Sequence, residues 1–292
     1  VSYFTLPGEK IAALVRTLSV ENVSGTPLTL EVLDGMPALI PCGVNLSRIK
    51  EIGQTAKAWM QVEDVEDRVP YYRVKASLAD SAEVQMVEEG NFALGFEASG
   101  ALLSVLTDPN LVFSYDTAMR RAVALQELLR KKQTTTGEFP CAFFARTVTL
   151  RPGEAVEFYE LFGQARNKEH LHNFLGRVGD AEYFRKKREE ACSLLDEICA
   201  KVHTETASPS FDAYCAYNYM DNLLRGGYPI CLGKDKVFYA YSRKHGDLER
   251  DYNFFAMLPE FYSQGNGHFR DVNQNRRCNQ SVVLYPRGIG AI

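Results

Sequence analysis

No apolar run in the 292 residues approaches the ~20 that a transmembrane helix needs, so a helical membrane span is excluded. An excess of one charge is also missing. With 37 acidic residues against 33 basic, and aromatics that are not interleaved with a basic stripe, nothing in the sequence gathers nucleic acid. The seven cysteines, Cys42, Cys141, Cys192, Cys199, Cys215, Cys231 and Cys278, contain no C-x-x-C pair, which removes the common zinc and redox spacings. Odd in number and scattered, they read as reduced thiols of a cytoplasmic protein. G-x-S-x-G, the P-loop, H-E-x-x-H and the glycine-rich dinucleotide fingerprint are all absent. The chain opens Val1-Ser2-Tyr3, without Met, a basic n-region or an apolar h-region, and this start reads as an internal cut. Asn22, Asn45 and Asn279 each begin an Asn-x-Ser match, a pattern short enough to arise by chance.

What is there is the composition of an ordinary soluble globular protein, at a length that favours two domains over one. From residue 1 to about 165 the dominant pattern is period-two alternation broken by Gly, Pro, Asn and Asp, which predicts strands. Leu18 and Val20 alternate with Thr17, Ser19 and Glu21; Phe92, Leu94 and Phe96 alternate with Ala93, Gly95 and Glu97. Val156, Phe158, Glu160 and Phe162 follow a Pro152-Gly153 turn. Short strands with frequent turn residues suggest an antiparallel sandwich. One helical interruption is expected at 125–133, where Leu125, Leu128 and Leu129 fall at helical spacing. "DGMPALIPCG" at 34–43 has prolines that remove backbone donors, and no helix is read after it. It reads as a loop connecting strands, not as a phosphate cradle.

Past Gly163 the pattern changes. Asp180 can cap a long helix whose one face carries Phe184, Ala191, Leu194, Leu195, Ile198 and Val202. The run Arg185, Lys186, Lys187, Arg188, Glu189 and Glu190 then reads as the solvated face. A second helix is predicted at 211–224, stopping at Gly226-Gly227 with Pro229 beyond. The expected order is a β-sandwich at 1–165, a helical linker at 166–208, and the start of a helical domain at 209–292. The length remaining after Pro209, much of it polar loop, is short for a complete helical domain.

The densest polar chemistry lies near the end. "YSRKHGDLERDYNFF" at 241–255 holds His245, Asp247 and several further charges, and "YSQGNGHFRDVNQNRR" follows at 262–277. Such a stretch is either solvated or organised around a polar ligand. Aromatic faces with Arg, Asp and Asn groups are what sugar recognition uses. The plainer alternatives stand beside this: His245 as a loop residue, Asp247 paired with a surface arginine, Asn266 between glycines as a turn.

The residues 261–275, "FYSQGNGHFRDVNQN", resemble the "FYQSGGAYGFRDQLQD" segment of the inverting glycoside phosphorylases, the cellobiose phosphorylase family and its β-glucan phosphorylase relatives. "LRPGEAVEFYELFGQ", "YFRKKREEACSLL" and "FDAYCAYNYMDNLLRGG" are similar, in the same order, to that family's last sandwich strands, linker helix and first barrel helix. "YSRKHGDLERDYNFF" and "RDVNQNRR" look most like the branch acting on β-1,3-gluco-oligosaccharides. The resemblance implies a β-sandwich, a helical linker and the beginning of an (α/α) six-hairpin toroid. It also implies reversible phosphorolysis of β-gluco-oligosaccharides with inversion, inorganic phosphate as co-substrate and no metal or organic cofactor; a non-catalytic carbohydrate-binding or scaffold protein and a glycoside hydrolase on the same fold are the alternatives. Family members often dimerise, so a homodimer is among the implied assemblies.

Position by position, Arg270 and Asp271 match the family's Arg-Asp pair and Gln274 its Gln, in a segment that lines the donor subsite. Asn275 stands where the family has Asp; it still bonds hydroxyls, with less charge. Asp247 in "HGDLE" resembles the Gly-Asp context of the family's general acid but precedes the sugar motif, the wrong order for that role. With His245 it is a candidate sugar contact. The general acid is expected downstream of this chain.

Overall fold

The computed structural model describes residues 1–240 apart from 45, 76, 78–81, 84–85, 115, 117, 129, 227 and 233–235. Along the chain these form β1 (Ser2–Thr5), β2 (Ala12–Glu21), β3 (Leu28–Met36), α1 (Leu46–Trp59), β4 (Met60–Glu63), β5 (Tyr71–Val74), β6 (Gly90–Glu97) and β7 (Ser104–Leu106). There follow α2 (Pro109–Phe113), α3 (Leu125–Leu128), β8 (Ala142–Leu150), β9 (Ala155–Ala165), α4 (Lys168–Leu175) and α5 (Ala181–Cys199). A 3-10 turn (Ala200–Val202), α6 (Pro209–Gly226), β10 (Tyr228–Leu232) and β11 (Lys236–Ala240) complete the set. No helix among the described residues is long and apolar enough to cross a membrane. The chain divides into two compact units, Val1–Ala191 and Cys192–Ile292.

The first unit is built on two antiparallel sheets, of order β1-β2-β9-β6-β5-β4 and β3-β8-β7. Strand alternation decides which face each residue serves. In β9, Phe158 and Phe162 face the smaller sheet, where they join Tyr72, Ala93, Val105, Ala142 and Phe144 in one core. The odd-numbered Tyr159 and Leu161 face the other way and meet Phe174 of α4 and Phe184 of α5. Phe184 is fully buried, its ring stacked on that of Tyr159 at 4.4 Å. The outer face of β8, Phe143 and Ala145, is covered by Val112 of α2 and by Leu125 and Leu128 of α3. Both sheets are thus sheltered on their outer faces as well as against each other.

Two corners pin the sheets together. The Pro152–Gly153 turn carries the chain from β8 in one sheet to β9 in the other, with Gly153 at φ +75, a conformation glycine adopts freely. The backbone of Gly153 donates to the carbonyl of Asn22, at the end of β2. Asn22 is buried, and its Nδ2 donates to the carbonyls of Thr26 and Leu150, both at 2.9 Å. The amide that glycosylation would need is therefore spent inside the corner.

Several expectations need correction. A helix does follow the 34–43 stretch: α1, broken at Ile52, which has φ −130 and ψ 38. The stretch itself is strand as far as Met36. The interruption at 125–133 is a single turn over Leu125–Leu128. α5 starts where expected, with the backbone of Glu182 donating to Oδ1 of Asp180 at 3.0 Å. Its charge run is not uniformly solvated, because Nζ of Lys187 donates to the carbonyl of Pro7 at 2.9 Å and pairs with Glu9 at 3.1 Å. Leu194 and Leu195 are 45% exposed, so they do not continue the buried face.

In the second unit Ile198 and Val202 pack against Tyr219 and Leu223 of α6. The loop before α6 is held by Asp212, whose Oδ2 accepts from the backbone of Thr206 at 3.0 Å. That bond lowers the pKa of the carboxyl. α6 ends at Gly226 as its glycine predicts. An antiparallel hairpin, β10 with β11, comes next, a pairing the helix-stop reading of Pro229 did not include. A two-stranded ribbon accommodates Pro229, since the missing N–H is tolerated on an outer edge.

Candidate functional site

The candidate sugar-contacting residues His245, Asp247, Arg270, Asp271, Gln274 and Asn275 all lie outside the described residues. Among the described residues of the first unit, a groove and a buried charge cluster between the sheets bear most on function.

The groove, with a volume of about 160 Å³, lies where the turn after β4 meets β7 and α3. Val65, Leu106 and Leu128 make its aliphatic wall, and Glu66, Arg68 and Lys131 bring charges to it. Much of its polar capacity is already committed. Oε1 of Gln133 accepts from the backbone and hydroxyl of Thr107, at 2.6 and 3.2 Å, and its Nε2 donates to the carbonyl of Val105 at 2.9 Å. Arg68 donates from Nη1 to the carbonyl of Leu102 at 2.8 Å. The same wall is braced by Asp108, which caps α2 through Oδ1 and accepts from the backbone of Thr134 through Oδ2. No aromatic ring lines the groove, so it lacks the flat apolar platform on which a pyranose packs.

The charge cluster sits between the sheets. Arg16 of β2 and Glu160 of β9 are cross-strand partners on the inner face of the larger sheet. Asp34 reaches them from β3 of the smaller sheet. Nη1 of Arg16 lies 2.6 Å from Oδ1 of Asp34 and 3.2 Å from Oε2 of Glu160. The Glu160 side chain is only 1% exposed. Burial is the main cause pushing its pKa up, to about 7, with the negative charge of Asp34 adding to it and Arg16 opposing it. The sequence carried a signal for this. Glu160 falls in the run Val156, Phe158, Glu160, Phe162, so a carboxylate stands on a face that is otherwise apolar. Arg16 and Asp34 gave no local sign, because their meeting depends on how the sheets stack.

Burial pushes the Cys42 thiol up, and its sulfur accepts from Nε2 of Gln164 at 3.3 Å. The described cysteines are all free thiols. No group of three or more His, Cys, Asp and Glu among the described residues is arranged to hold a metal ion. No protein-family model matches the chain, and a search of curated proteins returns no match.

Proposed function

We propose that the chain is the N-terminal portion of an inverting glycoside phosphorylase that acts reversibly on β-gluco-oligosaccharides. The observation that carries this reading is the residue string at 261–275, with its Arg270-Asp271 pair. The order of what precedes it supports the reading: packed antiparallel sheets, the helices α4 and α5, then α6. In this reading residues 1–165 are the sandwich, 166–208 the linker and 209–292 the opening of an (α/α) toroid.

The chemistry proposed is a single displacement. A phosphate oxygen attacks the anomeric carbon from the face opposite the glycosidic oxygen, forming the new C–O bond as the old one breaks. A carboxylic acid gives its proton to the departing oxygen, so the second product leaves as a neutral alcohol. Inversion at a β-linkage yields α-glucose 1-phosphate. Arg270, Asp271, Gln274 and Asn275 hold sugar hydroxyls in the donor subsite, with His245 and Asp247 as further contacts. Their role is to fix the ring so that the anomeric carbon faces the phosphate. No residue of this chain is assigned as the general acid.

The test uses the protein that carries that acid, incubated with a β-1,3-gluco-oligosaccharide with and without inorganic phosphate. Glucose 1-phosphate formed only when phosphate is present is the expected result. Free glucose released equally in both would identify a hydrolase. Binding without turnover in either would leave a carbohydrate-binding module.

A further inference from the structure

Two carboxyl groups and one guanidinium meet between the sheets of the first unit, and their charges do not balance. Glu160 is nearly inaccessible, and Arg16 and Asp34 are each about one-fifth exposed. On the far side of Glu160 its cross-strand partner is Gly95 of β6, which brings no side chain. The ring of Phe144, from β8, fills that space. Tyr3 of β1 places its ring 5.9 Å from the Arg16 guanidinium. A separate ion pair between β6 and β8, Glu97 with Arg146 at 2.9 Å, satisfies itself. Arg16 is thus the cation that serves both Asp34 and Glu160.

The hydrogen-bond accounting shows a specific deficit. Oδ2 of Asp34 is buried without a donor, and Nε of Arg16 is buried without an acceptor. The Asp34 and Glu160 carboxyls converge on the same nitrogen, Nη1 of Arg16, and so are close neighbours, yet two ionised carboxylates offer only acceptors. We propose that at mildly acidic pH Glu160 is carried as the neutral acid in the folded protein and donates its proton to Oδ2 of Asp34, making the pair a proton-dependent clasp between the two sheets. The proton does two things at once for the carboxyls. It supplies the missing donor, and it leaves one anion facing one cation in a space where a second anion would be costly.

The direction of the pH effect follows. Burial, with the Asp34 charge beside it, pushes the Glu160 carboxyl up to about 7 from an ordinary 4.5. A group so raised contributes stability that is fully present below 4.5 and is lost as the pH rises through 7. On losing its proton to solvent, Glu160 becomes an anion beside Asp34, with Arg16 shared between them, and the sheets are less firmly held.

The experiment is a carbon-detected titration of the glutamate carboxyls in the full chain. The Glu160 resonance is assigned as the one missing from Glu160→Gln or, independently, through bonds. Its midpoint is expected near 7, and Asp34→Asn lowers that midpoint by about one unit or more, because a neighbouring anion is removed. In urea the unfolding midpoint of the wild type falls between about pH 5 and about pH 8, relative to that of Glu160→Gln. A Glu160 resonance that titrates with the exposed glutamates overturns the proposal. So does a Glu160→Gln protein with the wild-type pH dependence. If Glu160→Gln does not fold, Asp34→Asn decides alone, since an unmoved Glu160 midpoint there overturns it.

Discussion

Gly95 shows how tightly the two sheets are fitted. A Cβ at this position would lie 2.5 Å from Cδ1 of Phe144 on the opposing sheet. Gly95→Ala therefore forces either the ring or the strand to move, and overpacking of this kind costs roughly 1–3 kcal/mol. Urea denaturation should show the loss. Asn22 fails for a different reason, since Asn22→Ala takes the Nδ2 donor from the buried carbonyl of Leu150 and removes the acceptor of Ser24. A loss of about 1–3 kcal/mol is expected for buried groups left unpaired, read by the same denaturation. At this scale the sequence was partly legible. Glu160 could be seen on an apolar face, because alternation needs only neighbours in the chain. The role of Asn22 could not, because its partner Leu150 comes from a distant strand.

Among the elements, α5 was the most legible and α1 the least. The helical spacing of Phe184 and Ala191 and the capping Asp180 lie in one continuous stretch, so local sequence was enough to place the helix. Lys187 was misread within it because its partners, Glu9 and the Pro7 carbonyl, belong to the loop after β1. α1 escaped notice because it follows two prolines, contains Gly53 and bends at Ile52, which interrupts the period on which a helix is recognised. α5 is held chiefly by Phe184, against Tyr159, Phe96 and Tyr183. Phe184→Ala should cost about 3–5 kcal/mol and lower the melting temperature. Leu194→Ala, on the same helix but 45% exposed, should cost far less. Comparing the two thermal melts tests whether the buried face ends near Ala191.

Over the whole molecule, the antiparallel, β-rich first part was legible because Pro152-Gly153 and the alternating runs on either side announce a strand, a turn and a strand. That β8 and β9 belong to different sheets was not, since the local pattern of a corner is the same as that of a hairpin. The sugar-site candidates rest on residue types and order at 241–277, and on the resemblance those residues carry. The groove described in the first unit has no aromatic wall, so that groove lacks a flat platform for a pyranose.

The most direct test of the phosphorylase reading is a calorimetric titration of β-gluco-oligosaccharides into the full chain, repeated with Arg270→Ala and with Asp271→Ala. A donor subsite at 261–275 predicts binding by the wild type and an affinity loss of about tenfold or more in each variant, the equivalent of about 1.4 kcal/mol. Binding of equal strength in all three proteins would contradict it.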